Sequence, residues 1–265
     1  MNFNIADITV SFQNRYKYTV RHSTEYATEC DNAEIQIVTT EELVEREKEQ
    51  FPGPNGYVEF ILVLREISER LPYYNAFLFH SACFDVDGIG VAFAAHSGTG
   101  KTTHMTLWKQ LLGDRMTVVN GDKPIVRFFD EPLSVGAIID RPQDKQPADG
   151  RAMPAPTGDN LTGDYPYAYG TPWNGKEHYG CNMRTPLRHI CFIERAEQNS
   201  CEPMTDTSEA IVRIFNQVYM PKDPAAAAKT VELIDRLMNS VQLWKIKCNM
   251  DPSAAEIAYN TIFGK

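Results

Sequence analysis

Positive charge is scarce in this chain: 26 Lys and Arg stand against 35 Asp and Glu, a formal net charge of −9 over 265 residues. A surface of that sign repels phosphate backbones and anionic lipid, so neither nucleic acid nor a membrane is expected as a partner. No apolar run approaches the roughly 20 residues of a membrane span. The N-terminus, Met1-Asn2-Phe3-Asn4-Ile5, lacks a basic region followed by an apolar core, so no signal peptide is expected. The cysteines, at positions 30, 83, 181, 191, 201 and 248, include no CxxC pair and no metal-ligand spacing. Most lie in apolar company, which suits buried free thiols in a reducing compartment. Repeats and low-complexity tracts are also missing. With 43% hydrophobic and 23% charged residues, the expectation is a soluble, cytoplasmic globular protein able to bury a sizeable core.

Against this ordinary background one stretch carries most of the information. Residues 95 to 102 read Ala-His-Ser-Gly-Thr-Gly-Lys-Thr, after the apolar run Gly90 to Ala95 and before a helical pattern from Thr102 to Leu112. Strand, glycine loop and helix, in that order, are the context of a phosphate-binding loop. Gly98 and Gly100 let the backbone turn its N–H groups inward, and the following helix points its positive end at the same spot. Lys101 adds a cation for the outer phosphates, and Thr102 offers a hydroxyl to magnesium. The usual first glycine is replaced by Ala95, so the match is to the looser form of the motif. A nucleoside triphosphate is the natural occupant.

Along the chain, Ile8 to Phe12, Tyr16 to Val20 and Ala33 to Val38 alternate as strands. Thr40 opens an acidic helix through Gln50, and a second helix follows the Phe51 to Gly56 break, ending before Pro72. Ala76 to Val86 and Ile89 to Ala95 read as two strands joined by Asp87-Gly88, a strong hairpin signal. The strand feeding the loop therefore has an antiparallel neighbour, which disfavours the ordinary doubly wound parallel sheet. Thr117 to Asn120, Pro124 to Phe129 and Leu133 to Ile139 read as short strands. Residues 140 to 186, rich in Pro, Gly, Asp and Tyr, read as long functional loops or a lid. Beyond them come a buried strand (Leu187 to Ile193), helices over Ser208 to Val218 and Pro224 to Met238, a strand from Val241 to Cys248, and a last helix to Ile262. The expected fold class is α/β with mixed, partly antiparallel sheets. A small N-terminal α+β region, residues 1–75, precedes a loop-bearing domain, residues 76–265.

Three further clusters stand out. Phe79-His80-Ser81 precedes the hairpin, so His80 falls beside the sheet end from which the loop departs; it reads equally as an edge histidine of the core. In Val118 to Pro124, Asp122 leaves a buried strand and is the best single candidate to hold magnesium, although Asn-Gly and Gly-Asp are also turn dipeptides. In Tyr169 to Glu177, turn formers crowd together with Trp173, Lys176 and Glu177; Lys176 could stabilise charge on a moving phosphoryl group, and a plain loop explains the composition as well. Arg184 and Arg188 read as phosphate or acceptor contacts or as surface charges. The tyrosines of Tyr165 to Tyr169 suit an acceptor cleft or aromatic packing.

Together with the hairpin feeding the loop, Phe79-His80-Ser81, Ala95 to Thr103, Val119 to Pro124 and Gly170 to Glu177 resemble the HPr kinase/phosphorylase and phosphoenolpyruvate carboxykinase superfamily, especially its small HPr-kinase-like members. The likeness covers residues 76 to 195 and the strand-helix ending from Val241. It implies a mixed-sheet P-loop core, ATP held by Ser97, Gly98, Thr99, Gly100, Lys101, Thr102 and Thr103, and Mg2+ near Thr102 and Asp122. It further implies phosphoryl transfer to a hydroxyl, usually serine, with an acid group accepting the proton. The bifunctional kinases carry adjacent aspartates where this chain has Gly121-Asp122, so the position of the proposed base is empty here. His80 or Asp122 would take that part, and Glu177 is a further candidate for a metal or base role.

The expectation is an ATP- and Mg2+-dependent kinase with Lys101, Asp122 and His80 at its centre. Its acceptor is a protein, a peptide or a small molecule, and the family likeness leaves assembly into oligomers open. The competing readings are a nucleotide-binding regulatory module without catalysis and a carboxykinase-like enzyme.

Overall fold

The computed structural model describes residues 1–96, 98–129 and 165–264. Its first part is a four-stranded sheet of β1 (Asn2–Ile5), β2 (Ile8–Gln13), β3 (Ala27–Thr28) and β4 (Ile35–Val38), in the order β3-β1-β2-β4. One face is apolar: Phe3, Ile5, Ile8, Val10, Ile35 and Ile37 alternate inward. Tyr16 to Val20, expected as a strand, lies instead at and within helix α1 (Lys17–His22). The cause is tertiary. Buried Glu59 accepts the backbone N–H groups of Arg15 (2.6 Å) and Tyr16 (3.0 Å), and Tyr18 packs on Phe60 with ring centroids 5.5 Å apart. Both partners come from the helix over Asn55–Ser68, which no local alternation reveals. The acidic stretch forms α2 (Glu41–Lys48), capped as expected by Thr40, whose hydroxyl accepts Leu43 N–H at 3.3 Å. Past the proline-glycine break runs α3 (Asn55–Ser68).

The second sheet has nine strands among the described residues: β5 (Ala76–Leu78), β6 (Ala82–Val86), β7 (Ile89–Ala94), β8 (Met116–Asn120), β9 (Ile125–Arg127), β10 (Tyr167–Tyr169), β11 (Arg184–Arg195), β12 (Ser200–Pro203) and β13 (Gln242–Cys248). The long strand β11 joins its two parts. Its first residues pair antiparallel with β10, and the rest runs parallel to β7 on one side and β13 on the other. Antiparallel β6, β8 and β12 complete a mixed sheet, in accord with the expected fold class. The β6–β7 hairpin turns at Asp87-Gly88 with φ of 53° and 89°, the left-handed pair that its residues favour.

The run Ala76 to Val86 is not one strand. It breaks at Phe79-His80-Ser81, where the chain passes from β5, paired with β9, to β6, paired with β7 and β8. Alternation alone cannot register a change of partner. The tail of the expected loop region is likewise β-structure, as β10 and the start of β11, because a three-residue strand is too short to show a period. Leu133 to Ile139 and the rest of that region up to residue 164 lie outside the described residues.

Helices cover both faces of the sheet around β7 and β11. On one side α4 (Lys101–Leu112) and α7 (Ser253–Phe263) bury Trp108, Met105, Tyr259 and Ile262 against Phe84, Phe93 and Cys191. On the other, α5 (Thr207–Phe215) and α6 (Pro224–Ser240) place Ile214, Leu233 and Leu237 over Phe77, Phe79 and Ile190. A separate core lies between the N-terminal sheet, α3 and the β9–β10 end of the large sheet, with Phe60 and Ile67 packed beside Ile125, Tyr167 and Trp173. No described helix is long and apolar enough to cross a membrane.

Candidate phosphate-binding site

The chain leaves β7 at Ala94 and enters α4 at Lys101, with Gly98 at φ 79° and Gly100 at φ 119° between them. A side chain at either glycine would be strained by that backbone, and the space beyond each is open: an added Cβ would meet nothing within 4 Å. The loop is thus a turned backbone with open space beside both glycines, ahead of the positive end of a 12-residue helix. Lys101 is buried to 8% exposure and donates from Nζ to Ala95 O at 2.8 Å, closing the loop on itself. Burial pulls its ammonium pKa down, the Asp122 carboxylate opposes this, and the charge of Lys123 adds to it. Thr102 is half-buried on the first turn of α4, and Thr103 is exposed. Ser97, expected in the same cradle, lies outside the described residues.

Asp122 stands where β8 ends. The side chain of fully buried Asn120 forms the turn: its Oδ1 accepts the N–H groups of Asp122 (2.9 Å) and Lys123 (2.7 Å), and its Nδ2 donates to Thr171 O and Oγ1 at 3.1 and 3.0 Å. The turn that these dipeptides favour is therefore present. His80, at the break between β5 and β6, reaches Asp122 Oδ1 from Nε2 at 3.1 Å, and Lys123 Nζ lies 3.6 Å from Oδ2. The backbones are tied as well: Ser81 N–H donates to Asp122 O at 3.2 Å, and His80 N–H to Gln217 O at 2.7 Å. Burial pushes the Asp122 carboxyl pKa up, but the hydrogen bond from His80 and the charges of Lys123, His80 and Lys101 outweigh it, and the net shift is downward. Asp122 is a carboxylate at neutral pH.

The third cluster folds against the second. Gly121 N–H donates to Tyr179 O at 2.8 Å, and Cys181 N–H to Val119 O at 3.2 Å, so residues 179–181 run beside the end of β8. Trp173 anchors the near side, donating from Nε1 to Phe60 O at 2.8 Å and stacking on the Phe60 ring at 5.0 Å. Its role is structural. The loop closes directly over Gly121, where a Cβ would lie 3.1 Å from Asn174 O and 3.2 Å from Tyr179 O. A side chain at position 121 would thus press on another part of the chain. Glu177 is exposed, yet near Asp122: a Cβ at Gly175 would stand 3.8 Å from Glu177 Oε2 and 3.9 Å from Asp122 Cγ. Lys176 is exposed on the same loop.

Other candidates are committed elsewhere. Arg184 pairs with Asp7, and Tyr169 OH donates to Asp7 Oδ2 at 2.6 Å, joining β10 and β11 to the N-terminal hairpin. Arg188 lies over the Tyr165 ring, 3.4 Å from its centroid. Tyr167 and Tyr169 are buried in the core, which favours the packing reading of the tyrosine run.

Two neighbouring side chains were not foreseen. Lys123 follows Asp122 directly, and only the fold shows that its ammonium turns toward the same carboxylate. Arg195, at the end of β11, donates from Nε to Thr99 O at 3.1 Å and from Nη2 to Gly98 O, holding the loop carbonyls. Its one signal in the sequence is its place just past a buried strand.

No family model matches the chain, and no curated protein does. Among solved structures, the chain is similar to the HPr(Ser) kinase/phosphatase from Coxiella burnetii at 9% identity and a TM-score of 0.26, over 61% of this chain and 88% of that one. A likeness so distant carries no argument about activity. The residues themselves fit a magnesium-bound triphosphate. Thr102, Asp122 and Glu177 are hard oxygen donors of the kind magnesium accepts. Among the described residues no three His, Cys, Asp or Glu side chains are grouped to hold a metal on their own, so phosphate oxygens and water would have to complete the shell.

Proposed function

We propose that this protein is an ATP- and Mg2+-dependent kinase that passes the γ-phosphoryl group to a hydroxyl, with a serine of a protein or peptide as the favoured acceptor. The reading rests on one observation above all: His80 Nε2 lies 3.1 Å from Asp122 Oδ1 where β8 ends, and the Asp122 carboxylate and the Lys101 ammonium at the end of the glycine loop each shift the other's pKa. Loop N–H groups and the start of α4 receive the phosphates, and Lys101 balances charge on the outer ones. Magnesium, held by Thr102 and Asp122 with Glu177 nearby, would neutralise the charge that develops on the phosphates. The acceptor oxygen bonds to the γ-phosphorus as the bond to the β–γ bridging oxygen breaks, and ADP leaves with that electron pair. The hydroxyl proton passes to the Asp122–His80 pair, whose hydrogen bond keeps the carboxylate ionised and oriented. Positioning and electrostatics supply most of the catalysis in such a site.

The test is incubation with γ-labelled ATP, Mg2+ and a lysate of the source cell, beside Lys101→Ala. Label reaching a protein, peptide or metabolite with wild type alone supports the kinase. Phosphate release that needs no acceptor, or turnover that depends on a dicarboxylic acid, would point to a hydrolase or a carboxykinase-like enzyme instead. A second reading, nucleotide binding without transfer, is favoured by the closure of the 171–180 loop over Gly121. Nucleotide affinity with no labelled product would select it.

A further inference from the structure

We propose that Arg195 is a positioning residue for nucleotide binding: its guanidinium turns the peptide groups of the glycine loop so that their N–H sides are presented to the phosphates. The inference rests on the nucleotide reading of the loop and adds a residue that the loop motif does not contain.

The sheet brings Arg195 to the loop. β11 runs parallel to β7 with Phe192 opposite Ala94, so Arg195, further along the same strand, comes abreast of the residues that leave β7. On the other side β13 holds its backbone: Arg195 lies opposite Cys248, and Ala196 N–H donates to Cys248 O at 3.0 Å. The side chain then reaches the loop, donating from Nε to Thr99 O at 3.1 Å and from Nη2 to Gly98 O. A planar guanidinium suits this pairing, because its donors form a fixed fork that serves two acceptors at once. The adjacent carboxylate, Glu194, is engaged by Arg213, and among the described residues no carboxylate pairs with Arg195. Its charge therefore falls on the two loop carbonyls.

Those carbonyls belong to consecutive peptide groups, Gly98–Thr99 and Thr99–Gly100. In a trans peptide the C=O and N–H point in opposite directions, so fixing both oxygens on Arg195 aims the N–H groups of Thr99 and Gly100 away from it. Thr99 N–H accordingly points back into the loop, where it donates to His96 O at 3.2 Å. Gly100 N–H meets no described acceptor and is left for a ligand. The glycines do not hold this arrangement themselves, since glycine adopts positive and negative φ about equally well. Without Arg195 the two peptide groups are free to rotate and turn a carbonyl oxygen toward the phosphates, which it would repel. Lys101 cannot substitute, because its Nζ holds Ala95 O at the other end of the loop.

Calorimetric titration with ADP and with a non-hydrolysable ATP analogue, each with Mg2+, compares wild type, Arg195→Gln and Arg195→Lys. Loss of the fork should weaken both nucleotides by the same factor, about tenfold, in Arg195→Gln. Arg195→Lys, which keeps the charge but not the fork, should recover part of the loss. Arg195 is exposed, so the urea midpoint of Arg195→Gln should stay close to that of wild type. Unchanged affinity for both nucleotides overturns the assignment and leaves the loop as a nucleotide site. A loss confined to the ATP analogue also overturns it, since Arg195 would then touch the terminal phosphoryl group itself. Weaker binding that tracks a lowered urea midpoint and is not recovered by Lys would mark a merely structural residue. Wild type that binds neither nucleotide overturns the reading of the loop, and Arg195 with it. Should Arg195→Gln fail to fold, Arg195→Lys decides: partial weakening of both nucleotides supports the fork, and wild-type affinity overturns it.

Discussion

Nε2 of His80 lies 3.1 Å from Oδ1 of Asp122, joining the break between β5 and β6 to the end of β8. The contact unites an imidazole with a carboxylate just past the end of β8. Asp122→Asn should cut phosphoryl transfer by about 10²–10⁴-fold, the usual worth of acid–base assistance, while the protein stays folded. His80→Ala should cut it by less, because the carboxylate remains. Initial rates of label transfer measure both. Equal rates for Asp122→Asn and wild type would remove Asp122 from the chemistry.

Lys101→Ala should cost more at the transition state than in the ground state. Removing a charge-stabilising donor typically loses about 10²–10³-fold in kcat. Steady-state kinetics would show a fall in kcat beyond any rise in KM for ATP. Unchanged turnover would refute the assignment.

Stability should depend on the ionisation of Asp122. Its folded-state pKa is depressed below the ordinary 3.8. The carboxylate therefore contributes stability that is present above the unfolded-state value and lost as pH falls through the folded one. Urea midpoints of wild type and Asp122→Asn should differ at pH 7 and draw together below about pH 4. A difference that persists unchanged in acid would contradict this.

An aspartate introduced at Gly121 should not supply a base. The new Cβ would press on Asn174 O and Tyr179 O, both backbone atoms at 3.1 and 3.2 Å. Gly121→Asp should cost about 1–3 kcal/mol by overpacking, read from urea denaturation, without raising transfer. A stable, faster variant would mean that the loop gives way readily.

Trp173 joins the site loop to α3. Trp173→Phe keeps the stacking on Phe60 but loses the bond to Phe60 O, and should cost about 1 kcal/mol. Trp173→Ala should cost about 3–5 kcal/mol. Chemical denaturation distinguishes the two, and equal losses would mean that the ring contributes nothing beyond its N–H.

By itself the sequence determined those features whose cause is local. The Asp87-Gly88 hairpin, the Thr40 cap, the glycines that free the loop backbone and the helix that follows are all set by hydrogen bonds and dihedral preferences within a few residues. So was the mixed character of the sheet, since a tight hairpin forces an antiparallel neighbour on the loop's strand. Tertiary structure alone decided the rest. Tyr16 to Val20 became α1 because Glu59 and Phe60 wait on another helix, and the run from Ala76 broke at His80 because its halves find different partners. Lys123 and Arg195 entered the site, and the 171–180 loop covered Gly121, through contacts between distant segments. Such contacts form where burial and strand pairing bring elements together, and the spacing of residues along the chain does not carry that information.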